Sequence, residues 1–145
     1  MKQALLLSIA AMIFLFQGCC KPGPCERKRI VEISFSGFSL PETDTIITTS
    51  YTREGDGFST PHSWPYVVER ERNDTAQVYS LSFDSEFNWD VYLPALDTHF
   101  RIQDYTFATM ECPDNCFGRK KRLPTLSGFS INHLQVWGFE HTVAR

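Results

Sequence analysis

Hydrophobic and polar residues alternate along most of this chain with a period of two. Val31, Ile33 and Phe35 alternate with Glu32, Ser34 and Ser36, which predicts a half-buried strand. Thr45 to Tyr51 is β-branched almost throughout and predicts a second strand, closed by the turn residues Glu54-Gly55-Asp56-Gly57. Ser63 to Val68 predicts an edge strand at best, because Pro61 and Pro65 break its donor row. Gln77, Tyr79, Leu81 and Phe83 alternate against Val78, Ser80 and Ser82. Phe87, Trp89, Val91 and Leu93 alternate against Asn88, Asp90 and Tyr92 until Pro94 stops the run. Phe100 and Ile102 begin a strand that continues through Tyr105 and Phe107. The parity changes across Gln103-Asp104, the mark of a β-bulge. Leu126 to Ile131 and Leu134 to Phe139 are joined by Asn132-His133, and since Asn tolerates positive φ this predicts a two-residue hairpin.

Seven or eight short strands, with no helical stretch beyond the N-terminal region, predict an all-β fold. The expected architecture is an antiparallel β-sandwich of immunoglobulin- or transthyretin-like layout, with a small β-barrel as second choice.

The first nineteen residues follow another pattern. Met1-Lys2 is a short positive start, and Ala4 to Phe16 is a run of thirteen residues interrupted only by Ser8. That run is too short for a bilayer core of about 30 Å, which needs roughly 20 residues. It has the layout of a secretory signal removed from the mature protein. Leu15-Phe16-Gln17-Gly18-Cys19 closes it and resembles a bacterial lipobox. The resemblance implies cleavage after Gly18 and acylation of Cys19, so that residues 1–18 are signal peptide and residues 19–29 a lipidated, basic tether. Residues 30–145 are then the β-sandwich domain.

Export changes how the cysteines read. Beyond Cys19 there are four, Cys20, Cys25, Cys112 and Cys116, and an even number in an oxidising compartment predicts a disulfide framework of unspecified connectivity. Four residues separate the first pair and three the second, which does not suit thiolate zinc, so no metal or other cofactor is expected. His62, His99, His133 and His141 are scattered without ligand spacing, and no Gly-x-Ser-x-Gly elbow is present. These patterns predict a binding or assembly module rather than an enzyme.

Composition narrows the partner. Aromatic residues reach 14%, with twelve Phe, five Tyr and three Trp, as befits pleated, half-buried strands. The formal charge is −3, which together with export excludes nucleic acid. Cations cluster in the tether (Lys21, Arg27, Lys28, Arg29) and in a block formed by Arg119, Lys120, Lys121 and Arg122. Each block follows a cysteine pair, so a crosslink would gather them into a cationic foot facing anionic lipid, worth about 1 kcal/mol per cation near the surface. Among the tryptophans, Trp89 shares the parity of core residues and Trp137 has an ambiguous face. Trp64, between Ser63 and Pro65, is the one expected to be exposed, and a glycan is the candidate ligand there.

Taken together, the signal, the double cysteine and the Phe/Tyr-rich β domain resemble the small lipoproteins of Bacteroidetes-type bacteria. Asp74-Thr75-Ala76 is similar to the Asp-Thr-apolar acceptor of the O-glycosylation system in such bacteria, which makes Thr75 a candidate. The resemblance implies an outer-membrane lipoprotein whose partners are the membrane itself and an envelope protein or glycan. Cys20-Lys21-Pro22-Gly23-Pro24 carries no acid until Glu26, which favours the periplasmic face over the cell surface.

Overall fold

A computed structural model describes residues 27–54, 57–69, 78–113 and 120–145. The chain divides into two compact units, Met1–Arg27 with Thr109–Pro124 and Lys28–Ala108 with Thr125–Arg145. The larger unit carries most of the β structure, and two strands, β6 and β7, contribute residues to both.

Among the described residues nine strands form two sheets. In chain order they are β1 (Ile30–Ser36), β2 (Thr45–Tyr51), β3 (Tyr66–Glu69), β4 (Val78–Asp84), β5 (Asn88–Leu93), β6 (Thr98–Pro113), β7 (Lys120–Ile131), β8 (Leu134–Trp137) and β9 (Glu140–Ala144). One sheet has three strands in the order β4-β1-β9, and the other has six in the order β3-β2-β5-β6-β7-β8. The sheets do not close into a barrel, so the second-choice architecture falls away and the fold is a β-sandwich. One pairing departs from a purely antiparallel layout, because β1 pairs antiparallel with β4 but parallel with β9.

The core sits where the inward faces meet. Val31, Ile33 and Phe35 of β1 are buried, as their alternation with polar neighbours requires. From the six-stranded sheet Ile46, Val91, Leu93, Ile102 and Phe129 join the same cluster. Aromatic contacts link the sheets: Phe35 meets Phe100 edge-on at 5.6 Å, and Phe83 meets Trp89 at 5.3 Å. Trp89 is thus half-buried against the core, with its indole N–H satisfied by the Asp84 carbonyl at 2.9 Å.

Two local features follow the sequence chemistry closely. Asp104 has φ +53, and the buried residues Ile102 and Tyr105 flank it three positions apart, so the parity change is a bulge in β6. The Ser130 hydroxyl donates to the Asp104 carboxylate at 2.7 Å and holds the bulged residue against β7. Asn132 and His133 both have positive φ, +47 and +68, the backbone of a type I′ hairpin.

Three expectations are corrected. The chain has more strands than seven or eight, because Gly138 at φ +101 ends β8 and redirects the chain into the other sheet as β9. Phe139, expected within the hairpin run, therefore lies in the link. A helical turn also exists, α1 (Leu40–Thr43), where the sequence predicted none. Its brevity hides it from any periodicity. It forms because the Glu42 carboxylate reaches back to Ser39, accepting from the backbone N–H and from the hydroxyl, both at 2.8 Å. Lys120, Lys121 and Arg122 open β7.

The α1 cap carries a pH signature. Hydrogen bonds from the Ser39 backbone and then its hydroxyl hold the Glu42 carboxyl below its ordinary value, with Arg145 adding charge attraction at 2.6 Å. A carboxyl depressed in the folded state stabilises the fold above its unfolded pKa, about 4.3, and loses that contribution as pH falls through the folded value. Glu42→Gln should accordingly leave a smaller deficit in melting temperature at pH 3 than at pH 6. A deficit independent of pH would show that the carboxylate is not the stabilising form.

Candidate functional site

The clearest departure from a closed sandwich surface lies at the edge of the six-stranded sheet. β3 covers β2 only from Thr45 to Thr48, where the partners are Glu69 to Tyr66. Pairing resumes beyond a gap, with a bridge between Tyr51 and Pro61 and a bond from the His62 N–H to the Ser50 carbonyl at 2.8 Å. Residues 62–65 thus stand opposite only Thr49 and Ser50, and the surplus loops outward. Pro61 and Pro65 lack the N–H that a regular ladder would use, so the edge cannot zip up between them.

Trp64 sits in this outward loop and is 91% exposed. Its neighbours are fixed. The Ser63 and Ser50 hydroxyls share a hydrogen bond of 2.8 Å, and the His62 ring stacks on Phe87 at 4.1 Å and 23°. The indole is therefore presented from an anchored backbone, which lowers the ordering entropy a ligand must overcome. Beside it opens a groove of about 530 Å³ lined by Trp64, Tyr51, Thr49, His62, Ser63 and the two prolines, with no carboxylate, ammonium or guanidinium among the described residues. That volume is within the range of small-ligand clefts, about 300–1,000 Å³.

The outer face of the same sheet continues from the groove. Register places Thr49 beside Asp90 and Asp90 beside Arg101, a row across β2, β5 and β6. The Asp90 carboxylate holds His99 Nδ1 with its two oxygens at 2.9 and 3.1 Å, and Tyr92 stacks on the His99 ring at 4.3 Å. The Tyr92 hydroxyl donates to Asp97 at 3.1 Å, and that bond, with some burial, raises its pKa. Arg101 lies over the Phe58 ring at 5.1 Å, and Phe58 packs on Tyr51 at 5.2 Å. Asn88, buried on this face, donates to the Gly57 carbonyl at 3.0 Å and ties the covering loop down. A smaller space of about 270 Å³ lies on the inward side, lined by Val68, Leu81, Phe83 and Trp89 together with hydroxyl residues.

No known family, curated protein or solved structure matches this chain.

Of the residues singled out in the sequence, Trp64 is exposed as expected, and it lines the groove. Trp137, of ambiguous face, is 77% exposed on the edge strand β8, with Leu134 also exposed. Lys120 and Arg122 both bind the Glu111 carboxylate, at 2.7 and 3.3 Å, so two cations of the basic block have an acidic partner in the smaller unit. Cys112 is buried in that unit. Cys19, Cys20, Cys25, Cys116, Thr75 and Arg119 lie outside the described residues.

The scatter of the histidines along the sequence does not reveal the pairing of His99 with Asp90. The signal was present in parity: Asp90 and Tyr92 occupy the polar face of one strand, and His99 and Arg101 the polar face of the next. Among the described residues no group of three or more His, Cys, Asp or Glu could hold a metal, and no helix is long and apolar enough to cross a membrane.

Proposed function

We propose that this chain is a lipid-anchored binding module of the cell envelope whose ligand face is the Trp64 groove. The observation that carries the reading is a largely exposed indole held out by anchored neighbours over a cleft whose described lining carries no formal charge. An apolar ring costs free energy in water unless a partner covers it, and roughly 25 cal/mol accrues per Å² covered. Glycan recognition is the form of binding this surface favours. Aromatic faces stack on the C–H faces of sugar rings, and the hydroxyls of Tyr51 and Thr49 suit a polyhydroxylated, uncharged ligand.

The anchor belongs to the same reading and rests on Gly18-Cys19 following the apolar run. Each buried methylene contributes about 0.8 kcal/mol, so two or three acyl chains give lasting attachment, most consistent with the periplasmic side of the outer membrane. Cysteines of the tether and of the Cys112–Cys116 pair supply the disulfide framework, and Lys121 with its neighbours supplies a membrane-facing cation. Thr75 is the proposed O-glycan acceptor.

Two experiments test these parts separately. Cys19→Ala should abolish incorporation of labelled palmitate and leave precursor, whereas unmodified mature wild-type protein in the soluble fraction would refute the anchor. For the groove, full-length protein in detergent should be retarded in native gels containing laminarin, mannan or xylan. Trp64→Ala should run without retardation in all three, and equal mobility of wild type and variant would refute the ligand face.

A further inference from the structure

We infer that the groove is one end of a longer track for an oligosaccharide, crossing the outer face of the six-stranded sheet from Trp64 through Thr49 to Asp90 and Arg101. This rests on the glycan reading of the groove and extends it to the size of the ligand and to the residues at the far end.

Three observations carry it. First, Thr49 belongs to both regions, since it lines the groove and is the cross-strand neighbour of Asp90. Second, the surface between the two ends is continuous on its other flank as well: Tyr51 of the groove packs on Phe58, and Arg101 lies over Phe58. Third, the far end changes chemistry. The near end offers ring faces and hydroxyls, while the far end carries Asp90 and Arg101 as cross-strand neighbours, the first bound to His99 and the second over the Phe58 ring.

That change suits one sugar chain. Planar carboxylate and guanidinium groups bind pairs of neighbouring hydroxyls, the carboxylate accepting and the guanidinium donating. The two are held ready. His99 holds the Asp90 carboxylate, and the Arg101 guanidinium rests over the Phe58 ring. Opposite charges side by side also leave the far end without a strong net field, which selects against phosphate or another highly charged ligand. From β2 to β6 is two interstrand spacings, about 10 Å. A single pyranose cannot stack on Trp64 and reach Arg101 together, so the site demands a chain of sugars.

The test uses full-length protein in detergent and calorimetric titration with matched pairs: glucose with cellotetraose, mannose with mannotetraose, and N-acetylglucosamine with chitotetraose. One tetraose should bind at least tenfold more tightly than its own monosaccharide. Arg101→Ala and Asp90→Asn should reduce that tetraose to the monosaccharide level and leave the monosaccharide affinity unchanged. Trp64→Ala should remove both. Asp90→Asn keeps the side-chain shape, so a loss of fold at Arg101→Ala would not obscure the result.

Equal affinities for tetraose and monosaccharide, or tetraose binding untouched by Arg101→Ala and Asp90→Asn, would overturn the track while the groove reading stands. Failure of every sugar, with binding of decaproline instead, would overturn both.

Discussion

Phe35→Ala should lower the free energy of unfolding by about 3–5 kcal/mol, the upper range for aromatic truncation in a core. Phe35 is 1% exposed and contacts Phe38 at 5.9 Å and Phe100 at 5.6 Å, both edge-on. The contact with Phe100 joins the two sheets, so truncation removes packing between layers rather than within one. Relaxation is limited because β1 is hydrogen-bonded on both sides, to β4 and to β9. Its backbone cannot sink into the vacancy without breaking one of those ladders. Against a typical total of about 5–15 kcal/mol, such a loss removes a large share of the stability. Urea titration reads it as a lower midpoint at unchanged slope. A loss below about 1.5 kcal/mol would mean that Phe35 does not bridge the sheets as described.

The sandwich was legible because its strongest signals are local. Val31, Ile33 and Phe35 show their inward face by simple alternation, and Asn132-His133 names its turn by tolerance of positive φ. The bulge at Asp104 was visible for the same reason, since one extra residue shifts the parity of everything after it. What could not be read was pairing between distant segments. Nothing in Glu140 to Ala144 announces that β9 leaves its neighbour β8 and lies parallel to β1; the redirection depends on one glycine, Gly138. The site divides in the same way. Trp64 was legible because two prolines prevent its segment from joining a ladder. The Asp90–His99 pair and the support of Arg101 by Phe58 depend on register between β5 and β6 and on a loop folding over the sheet, and neither is encoded in spacing along one strand.

Asn132→Ala should cost about 2–3 kcal/mol, a large effect for an exposed turn residue. The backbone is one reason: at φ +47 a residue with a β-carbon pays about 1 kcal/mol or more, which Asn offsets better than Ala. The side chain is the other. Its Oδ1 accepts from the Arg101 N–H at 2.8 Å and its Nδ2 donates to the His99 carbonyl at 3.0 Å, while its own N–H donates to the Arg101 carbonyl at 2.9 Å. The amide thus continues the ladder to β6 past the point where β7 turns away. Each lost side-chain bond accounts for about 0.5–1.5 kcal/mol. Asn132→Gly separates the two causes, since it keeps the positive φ and loses only the bonds, and it should be the milder variant. His133→Gly, relieving φ +68 without removing either bond, should raise stability by about 0.5–1 kcal/mol. Thermal melts of the three variants decide the matter. Equal losses for Ala and Gly would assign the whole effect to the amide, and no loss for Ala would refute the account. The same amide positions His99 and Arg101 at the far end of the proposed track. Asn132→Gly should therefore weaken tetraose binding more than monosaccharide binding even where the fold survives, because it loosens the strand segment that presents the guanidinium.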